Sequence, residues 1–299
     1  MKILIFGRIG QLGTELARCP WAPGTELVFY DRNEVDVGNP AAVKGAIAAT
    51  HCDLVINASA YTAVDKAEEE KESDVAFAVN RDGPAAMAEM CAASGIPLFH
   101  VSTDYVFDGS KPTPYSEDDP IAPLGVYGHS KAEGEQAVRD ACPHHLILRT
   151  AWIYAAHGHN FVRTMLRLAA ERPELRVVAD QYGCPTAAAD LAAALHMLAE
   201  RYDHERTLAW GTYHFTGQGE TSWHGFAERI IDLAAPILNK RPLVRAITSA
   251  DYPTAAQRPA NSRLDCTKMT TTFGITARPW PEALAEVVTE LLTNQGNTP

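Results

Sequence analysis

A doubly wound α/β fold, a Rossmann-like parallel sheet with a smaller mixed α/β lobe beside it, is predicted by three observations. Five short, nearly continuous apolar runs in the first 150 residues alternate with helical patterns, the signature of a parallel sheet covered on both faces. The first run ends in a glycine-spaced turn that opens a helix. The remainder of the chain is less regular and mixes helical and strand-like stretches, as a second lobe would.

The first apolar run is Lys2–Phe6, followed by a helix over Gln11–Cys19 and a second strand at Glu26–Tyr30. Asp53–Asn57, Leu98–Ser102 and His145–Arg149 are the third, fourth and fifth runs. Helices are expected between them at Pro40–Thr50, Lys71–Ser94 and Ser130–Ala141. In the second half, Asn160–Glu171 reads as a helix with Phe161, Met165, Leu166, Leu168 and Ala169 facing inward. Arg176–Ala179 reads as a strand, and Asp190–Arg201 as an alanine- and leucine-rich helix. Thr221–Leu238 is a further helix, expected to break near Pro236, and Pro279–Thr293 is the last. Residues 294–299 are expected to fray. The stretch 243–273 is rich in Pro, Thr, Ser and Arg, which predicts an irregular segment wrapping a site.

Of the 299 residues, 46% are hydrophobic and 21% charged, which excludes a disordered or collagen-like chain. The net charge of −11 argues against a broad grip on nucleic acid, though not against a local basic pocket. Cys19, Cys52, Cys91, Cys142, Cys184 and Cys266 form no C-x-x-C pair and join no histidine cluster, so no zinc site is expected. Scattered thiols read as those of a reduced, cytoplasmic protein. With the first strand read from Lys2, no signal peptide is expected, and no stretch reaches the roughly 18 apolar residues of a membrane span.

After the first strand stands Gly7-Arg-Ile-Gly10-Gln-Leu-Gly13. In a dinucleotide site, the first glycine permits the tight turn and the second lets backbone approach the pyrophosphate. The third lets helix pack on strand, and the helix N-terminus faces the phosphates. Asp31 ends the second strand 18 residues beyond Gly13, near the position of an acid that bonds the adenosine ribose. Arg32 follows it and could instead pair a 2′-phosphate, so NADH and NADPH both stay open.

Tyr127-Gly-His-Ser-Lys131 opens a helix and places Tyr and Lys on one face. An ammonium beside a phenol favours the phenolate, and such a pair can give or take a proton at a carbonyl or alcohol oxygen. At the end of the fourth strand stands Ser102-Thr103-Asp104-Tyr105, where ligands of parallel sheets bind and where Thr103 could orient a reacting oxygen beside Tyr127.

These features together resemble the extended short-chain dehydrogenase/reductase family. Further segments narrow the resemblance to its reductases of nucleotide-linked 4-ketosugars: Asn57–Glu68, Thr103–Gly109, Asn160-Phe161, Asp180–Thr186 and Arg258–Asp265. The resemblance implies a dinucleotide-binding domain over 1–150, joined by parts of 175–203, and a sugar-nucleotide lobe mainly over 151–299. It implies reduction of a C4 ketone by hydride from NADPH, or NADH, with Thr103, Tyr127 and Lys131 catalytic. Gly7, Gly10, Gln11, Leu12, Gly13, Asp31, Asp36, Val37, Ala60, Tyr61 and Thr62 take cofactor positions, and Lys131 also holds the nicotinamide ribose. Asp104 and Trp152 take sugar positions. Arg258, Asn261 and Arg263 take those of the diphosphate or thymidine. Some members bind Mg²⁺ at a dimer interface; Glu15 and Glu290 match two of its glutamates, but position 189 is alanine, so no metal is expected and the homodimer stays open. The competing readings are a dehydratase or epimerase on the same fold, or a non-catalytic NAD(P)-binding regulatory subunit. Asp104 is followed by Tyr105 rather than by the glutamate that elimination would use, and Thr103, Tyr127 and Lys131 are retained together.

Overall fold

The computed structural model of the chain describes residues 1–238 and 240–295. In the first half the elements run β1 (Lys2–Phe6), α1 (Gln11–Arg18), β2 (Glu26–Tyr30), α2 (Pro40–Thr50) and β3 (Leu54–Asn57). Then come α3 (Glu70–Phe77), α4 (Gly83–Ser94), β4 (Leu98–Thr103), α5 (Val126–Ala141) and β5 (His145–Thr150). The single helix expected over Lys71–Ser94 is instead divided by a π-helical turn at Ala78–Asp82. The cause is Pro84, which has no N–H for the Asn80 carbonyl and whose ring crowds it, so the ladder widens there. The helix carrying Tyr127 begins at Val126, four residues before the stretch Ser130–Ala141.

The second half runs β6 (Ile153–Tyr154), α6 (Phe161–Glu171), β7 (Glu174–Val178), β8 (Tyr182–Gly183), β9 (Thr186–Ala187) and α7 (Ala188–Glu205). It continues with β10 (Gly211–His214), β11 (Thr221–Ser222), α8 (Trp223–Leu238), β12 (Leu243–Ile247), α9 (Thr267–Phe273) and α10 (Trp280–Gln295). Three expectations are corrected. The stretch 243–273 is not irregular throughout: β12 pairs in parallel with β7 and α9 closes the stretch. The strand is hard to see because it is largely exposed and carries Arg245, which pairs with Glu174 across the ladder. Helix α8 is not broken at Pro236, which lies in its last turn and removes only one late hydrogen bond. Helix α10 runs on to Gln295, and residues 296–299 of the expected frayed end lie outside the described residues.

The main sheet has six parallel strands in the order β10-β5-β4-β3-β1-β2. Alternate residues of each strand face opposite layers. Ile3, Ile5, Leu54, Ile56, Phe99 and Leu148 pack under α1 and α7, while Leu4, Phe6, Val55, Leu98 and Ile147 pack under α2, α4 and α5. The sixth strand was not foreseen, because Gly-Thr-Tyr-His carries no apolar run; His214 is buried there because Arg149 and the Tyr115 carbonyl partner it. A separate core joins α6, α8 and α10 to β7 around Phe226, Ile230, Leu284 and Val288. The chain leaves β1 toward β2 on one side and returns to β3 on the other, so the strand order reverses at the carboxyl ends of β1 and β3. Open α/β sheets bind ligands at such a crevice.

Candidate active site

The glycine turn occupies that crevice. Gly7 has φ of +105°, and a Cβ there would lie 2.7 Å from the Ala58 carbonyl oxygen. A Cβ on Gly13 would lie 2.1 Å from the Gly7 carbonyl oxygen, so only glycine lets α1 start against β1. Gly10 is the N-cap of α1 and no side chain caps that end among the described residues, which leaves its first N–H groups for an anion. Leu12 is buried in the core and presents only backbone to the turn. The Gln11 side-chain oxygen accepts from Asn160 at 2.9 Å, tying the turn to the start of α6.

Around the turn the other cofactor candidates fall on one rim. Asp31 Oδ1 accepts the N–H of Asn33 at 2.7 Å and so shapes the turn after β2, with Arg32 exposed beside it. Asp36 is exposed and caps Gly38 in the same way, whereas the Val37 side chain belongs to the core. Ala60 and Thr62 are exposed, and Tyr61 bonds Glu72 through its hydroxyl at 2.6 Å. Asn80, in the π turn, accepts the Tyr61 N–H, donates to the Tyr61 carbonyl and donates to Ser130 on α5. A Cβ on Gly134 would lie 2.0 Å from the Asn80 carbonyl oxygen. The π turn thus holds the 60–62 segment and the Tyr127 helix in register, a role the sequence reading missed.

Thr103 closes β4. Its hydroxyl donates to Asp104 Oδ1 at 3.0 Å and accepts the Tyr105 N–H at 3.2 Å. The Tyr127 phenol faces Thr103, and its ring meets Tyr105 edge-on at 5.4 Å. Burial pushes Tyr127 up to about 12. Asp104 is 2% exposed, and burial raises its carboxyl to about 7 although the Thr103 hydroxyl pulls the other way. Its second oxygen has no hydrogen-bond partner among the described residues.

Lys131 stands one turn further along α5, and its ammonium is engaged by β4. It donates to the Val101 carbonyl at 2.7 Å and lies 3.5 Å from His100 Nε2. Burial lowers its pKa to about 8. Beneath it, Glu135 accepts both forks of Arg149 at 2.7 and 2.8 Å, an ion pair buried between α5 and β5. Both His100 and Arg149 are polar groups inside otherwise apolar strand runs, a signal that a buried partner must exist.

The substrate candidates also converge, with their polar groups already engaged. Trp152 has φ of +49° and stacks on Trp223 at 3.5 Å over Gly183, where a Cβ would collide with the indole. Arg258 is bound to Asp65, Asn261 donates to the carbonyls of Lys111 and Thr113, and Arg263 bonds Glu220, Asn261 and the Pro112 carbonyl. Asn261 therefore holds the 111–113 turn against its own loop, which Gly109 meets at Pro259. Of the two glutamates matched to Mg²⁺ positions, Glu15 and Glu290 both pair with Arg18. All six cysteines are free, and no described helix is long and apolar enough to cross a membrane.

The family model described as RmlD substrate binding domain matches residues 1–293. The chain is 45% identical to the dTDP-4-dehydrorhamnose reductase of Sinorhizobium fredii over 293 residues, 98% of each chain. It is 46% identical to the enzyme of that name from Aggregatibacter actinomycetemcomitans, over 96% of this chain and 98% of that one. Among solved structures, the dTDP-4-dehydrorhamnose reductase of Clostridium acetobutylicum superposes with a TM-score of 0.90 at 36% identity, covering 97% of this chain and 99% of that one. The Bacillus anthracis reductase in complex with NADP superposes with a TM-score of 0.86 at 34% identity, with the same coverage. A Thermus thermophilus UDP-glucose 4-epimerase, at 19% identity and a TM-score of 0.78, shares the fold alone. Matched over nearly its whole length by this family model and these relatives, the chain belongs to the dTDP-4-dehydrorhamnose reductase family.

Proposed function

We propose that the protein reduces the C4 ketone of dTDP-4-dehydro-L-rhamnose to dTDP-L-rhamnose, with Tyr127 as the proton donor. The observation that carries this reading is the placement of the Tyr127 phenol against Thr103 at the carboxyl end of β4, beside the glycine turn. NADPH, when bound, supplies the hydride. Gly7, Gly10, Gln11, Leu12 and Gly13 would hold its diphosphate through backbone N–H groups, with Asp31, Arg32, Asp36 and Val37 around the adenosine end. Ala60, Tyr61 and Thr62 would line its other side, and Lys131 would bond the nicotinamide ribose. We assign NADPH ahead of NADH because a relative's structure holds NADP and because Asp31 Oδ1 is engaged in its own turn while Arg32 is exposed beside it.

Tyr127 gives its proton to the C4 oxygen as negative charge develops there, and Thr103 steers that oxygen. A phenol at about 12 remains a stronger acid than the alcohol it makes, so the transfer runs downhill. Asp104 receives a sugar hydroxyl on its unpartnered oxygen, and Trp152, fixed by Trp223, forms the wall of the sugar site. Arg258, held by Asp65, and Arg263, held by Glu220, would place guanidinium charge beside the diphosphate. Residues 1–150 with α7 form the cofactor half, and most of 151–299 forms the sugar-nucleotide half. The test is loss of the near-ultraviolet absorbance of NADPH on mixing with a panel of nucleotide-linked 4-ketosugars. One NADPH is oxidised per dTDP-4-dehydro-L-rhamnose; no oxidation with any member of the panel would overturn the proposal.

A further inference from the structure

A chain of polar contacts runs from the end of β3 to Lys131 and fixes the tautomer of one histidine. Asn57 Oδ1 accepts the backbone N–H of Ser59 at 3.0 Å and the Ser59 hydroxyl at 2.6 Å. A backbone N–H can only donate, so the amide oxygen must face Ser59 and the amide nitrogen must face His100. That nitrogen lies 3.0 Å from His100 Nδ1 and donates to it. A neutral imidazole that accepts at Nδ1 carries its proton on Nε2. Nε2 points at Lys131 Nζ, 3.5 Å away, in a site where Asn57, His100 and Lys131 are all buried.

We propose that His100, its tautomer locked by Ser59 and Asn57, is a positioning residue that presents Nε2–H to Lys131 and thereby sets the pH at which that lysine loses its charge. An N–H aimed at an ammonium finds no acceptor, whereas a neutral amine offers its lone pair. His100 therefore favours the neutral lysine and opposes the charged one. Burial and the nearby Lys131 and His145 keep His100 itself neutral, far below its ordinary value. The other groups facing this pair are few. Tyr127 and Glu135 lie on the same helix as Lys131, and Glu135 is neutralised by Arg149 from β5 and by Arg139. The Val101 carbonyl takes one lysine proton from β4.

The catalytic part of this proposal rests on the reductase reading, in which the charged Lys131 is the working form. Activity then falls as pH rises through the lysine's pKa, and raising that pKa moves the fall to higher pH. His100→Gln places an amide oxygen where Nε2–H stood and can accept from the ammonium. It is expected to move the alkaline limb of kcat/KM upward by about one pH unit, a tenfold change in the lysine's proton affinity. Asn57→Leu, which releases the tautomer, is expected to move it the same way, with thermal unfolding checking that both variants fold. A folded His100→Gln enzyme whose limb stays in place overturns the proposal. A second measurement needs neither substrate nor cofactor. The ¹⁵N-histidine spectrum of the intact chain, with His100 assigned by difference from His100→Gln, is expected to show a neutral Nε2–H ring from pH 6 to pH 9. An Nδ1–H tautomer or an imidazolium in that range overturns the proposal, whether or not the reductase reading stands.

Discussion

Asp65 holds Arg258 through two hydrogen bonds, at 2.6 and 3.0 Å, joining the segment after β3 to the loop before α9. The same carboxylate accepts the Ala256 N–H at 3.2 Å. One acidic residue of the first half of the chain thus seats an arginine of the second half.

Asp65→Asn is expected to raise KM for the nucleotide sugar several-fold while leaving NADPH binding and the melting temperature nearly unchanged. The pair is partly solvated, so its direct contribution to stability is only about 0–1 kcal/mol. Its effect lies in where it places Arg258. The Arg258 guanidinium holds the Asp65 carboxyl below the usual carboxylate range, so the pairing is present above the ordinary carboxylate pKa and is lost as pH falls through the lowered one. Steady-state kinetics at pH 7 with a parallel fluorescence titration of NADPH check this; equal KM values would refute it.

Tyr127→Phe is expected to lower kcat by roughly 10²- to 10⁴-fold, the usual worth of a general acid. Binding of NADPH, read by fluorescence, should change by no more than a few-fold. Thr103→Val should lower kcat less, since it removes the steering hydroxyl and leaves the proton donor. Near-normal turnover by Tyr127→Phe would exclude the phenol as donor.

Asp104 makes the fold sensitive to pH in a definite direction. Its folded pKa of about 7 lies above the unfolded carboxylate value, so between these limits the native chain binds more protons. Its contribution is therefore fully present below the unfolded pKa and is lost as pH rises through 7. Asp104→Asn keeps an oxygen acceptor for Thr103 and never ionises. Chemical denaturation is expected to show the variant gaining stability relative to the parent between pH 4.5 and pH 8, by an amount on the order of a few kcal/mol at most. A pH-independent difference would contradict the burial of an ionising carboxyl.

Chelation is expected to leave turnover unchanged. Arg18 already neutralises Glu15 and Glu290, and Asp190 is committed to Arg278. Initial rates with millimolar EDTA and with added Mg²⁺ should coincide, and light scattering should give the same mass in both. A rate or mass that collapses with EDTA would show that a cation is needed where the guanidinium sits.

Much of the six-stranded sheet and its glycine turn could be read from the chain itself. Continuous apolar runs such as Leu4–Phe6 and Leu146–Leu148 can only be buried on both faces, and at Gly7 and Gly13 a Cβ would collide with the Ala58 and Gly7 carbonyl oxygens. Those are local facts of periodicity and sterics. Other features depend on partners distant in sequence. β10 is a strand because β5 and Arg149 await it, not because Gly-Thr-Tyr-His prefers one. Strand β12 is defined by its ladder with β7.

The candidate site divides in the same way. Tyr127 and Lys131 are legible as an i, i+4 pair, yet their different partners are not. The phenol meets Thr103 and the ammonium meets Val101 and His100, because the sheet supplies those partners. Arg258, Asn261 and Arg263 are legible as a polar loop, while Asp65, Lys111 and Glu220, the residues they bind, lie between 43 and 193 positions away. By itself the sequence determined which residues are candidates for acid, base and phosphate-binding chemistry and how the sheet must be built, because side-chain type and local periodicity are written residue by residue. The tertiary structure alone decided which buried group meets which, and so the charge each one carries, because burial and pairing are set by strands and helices far apart in the chain.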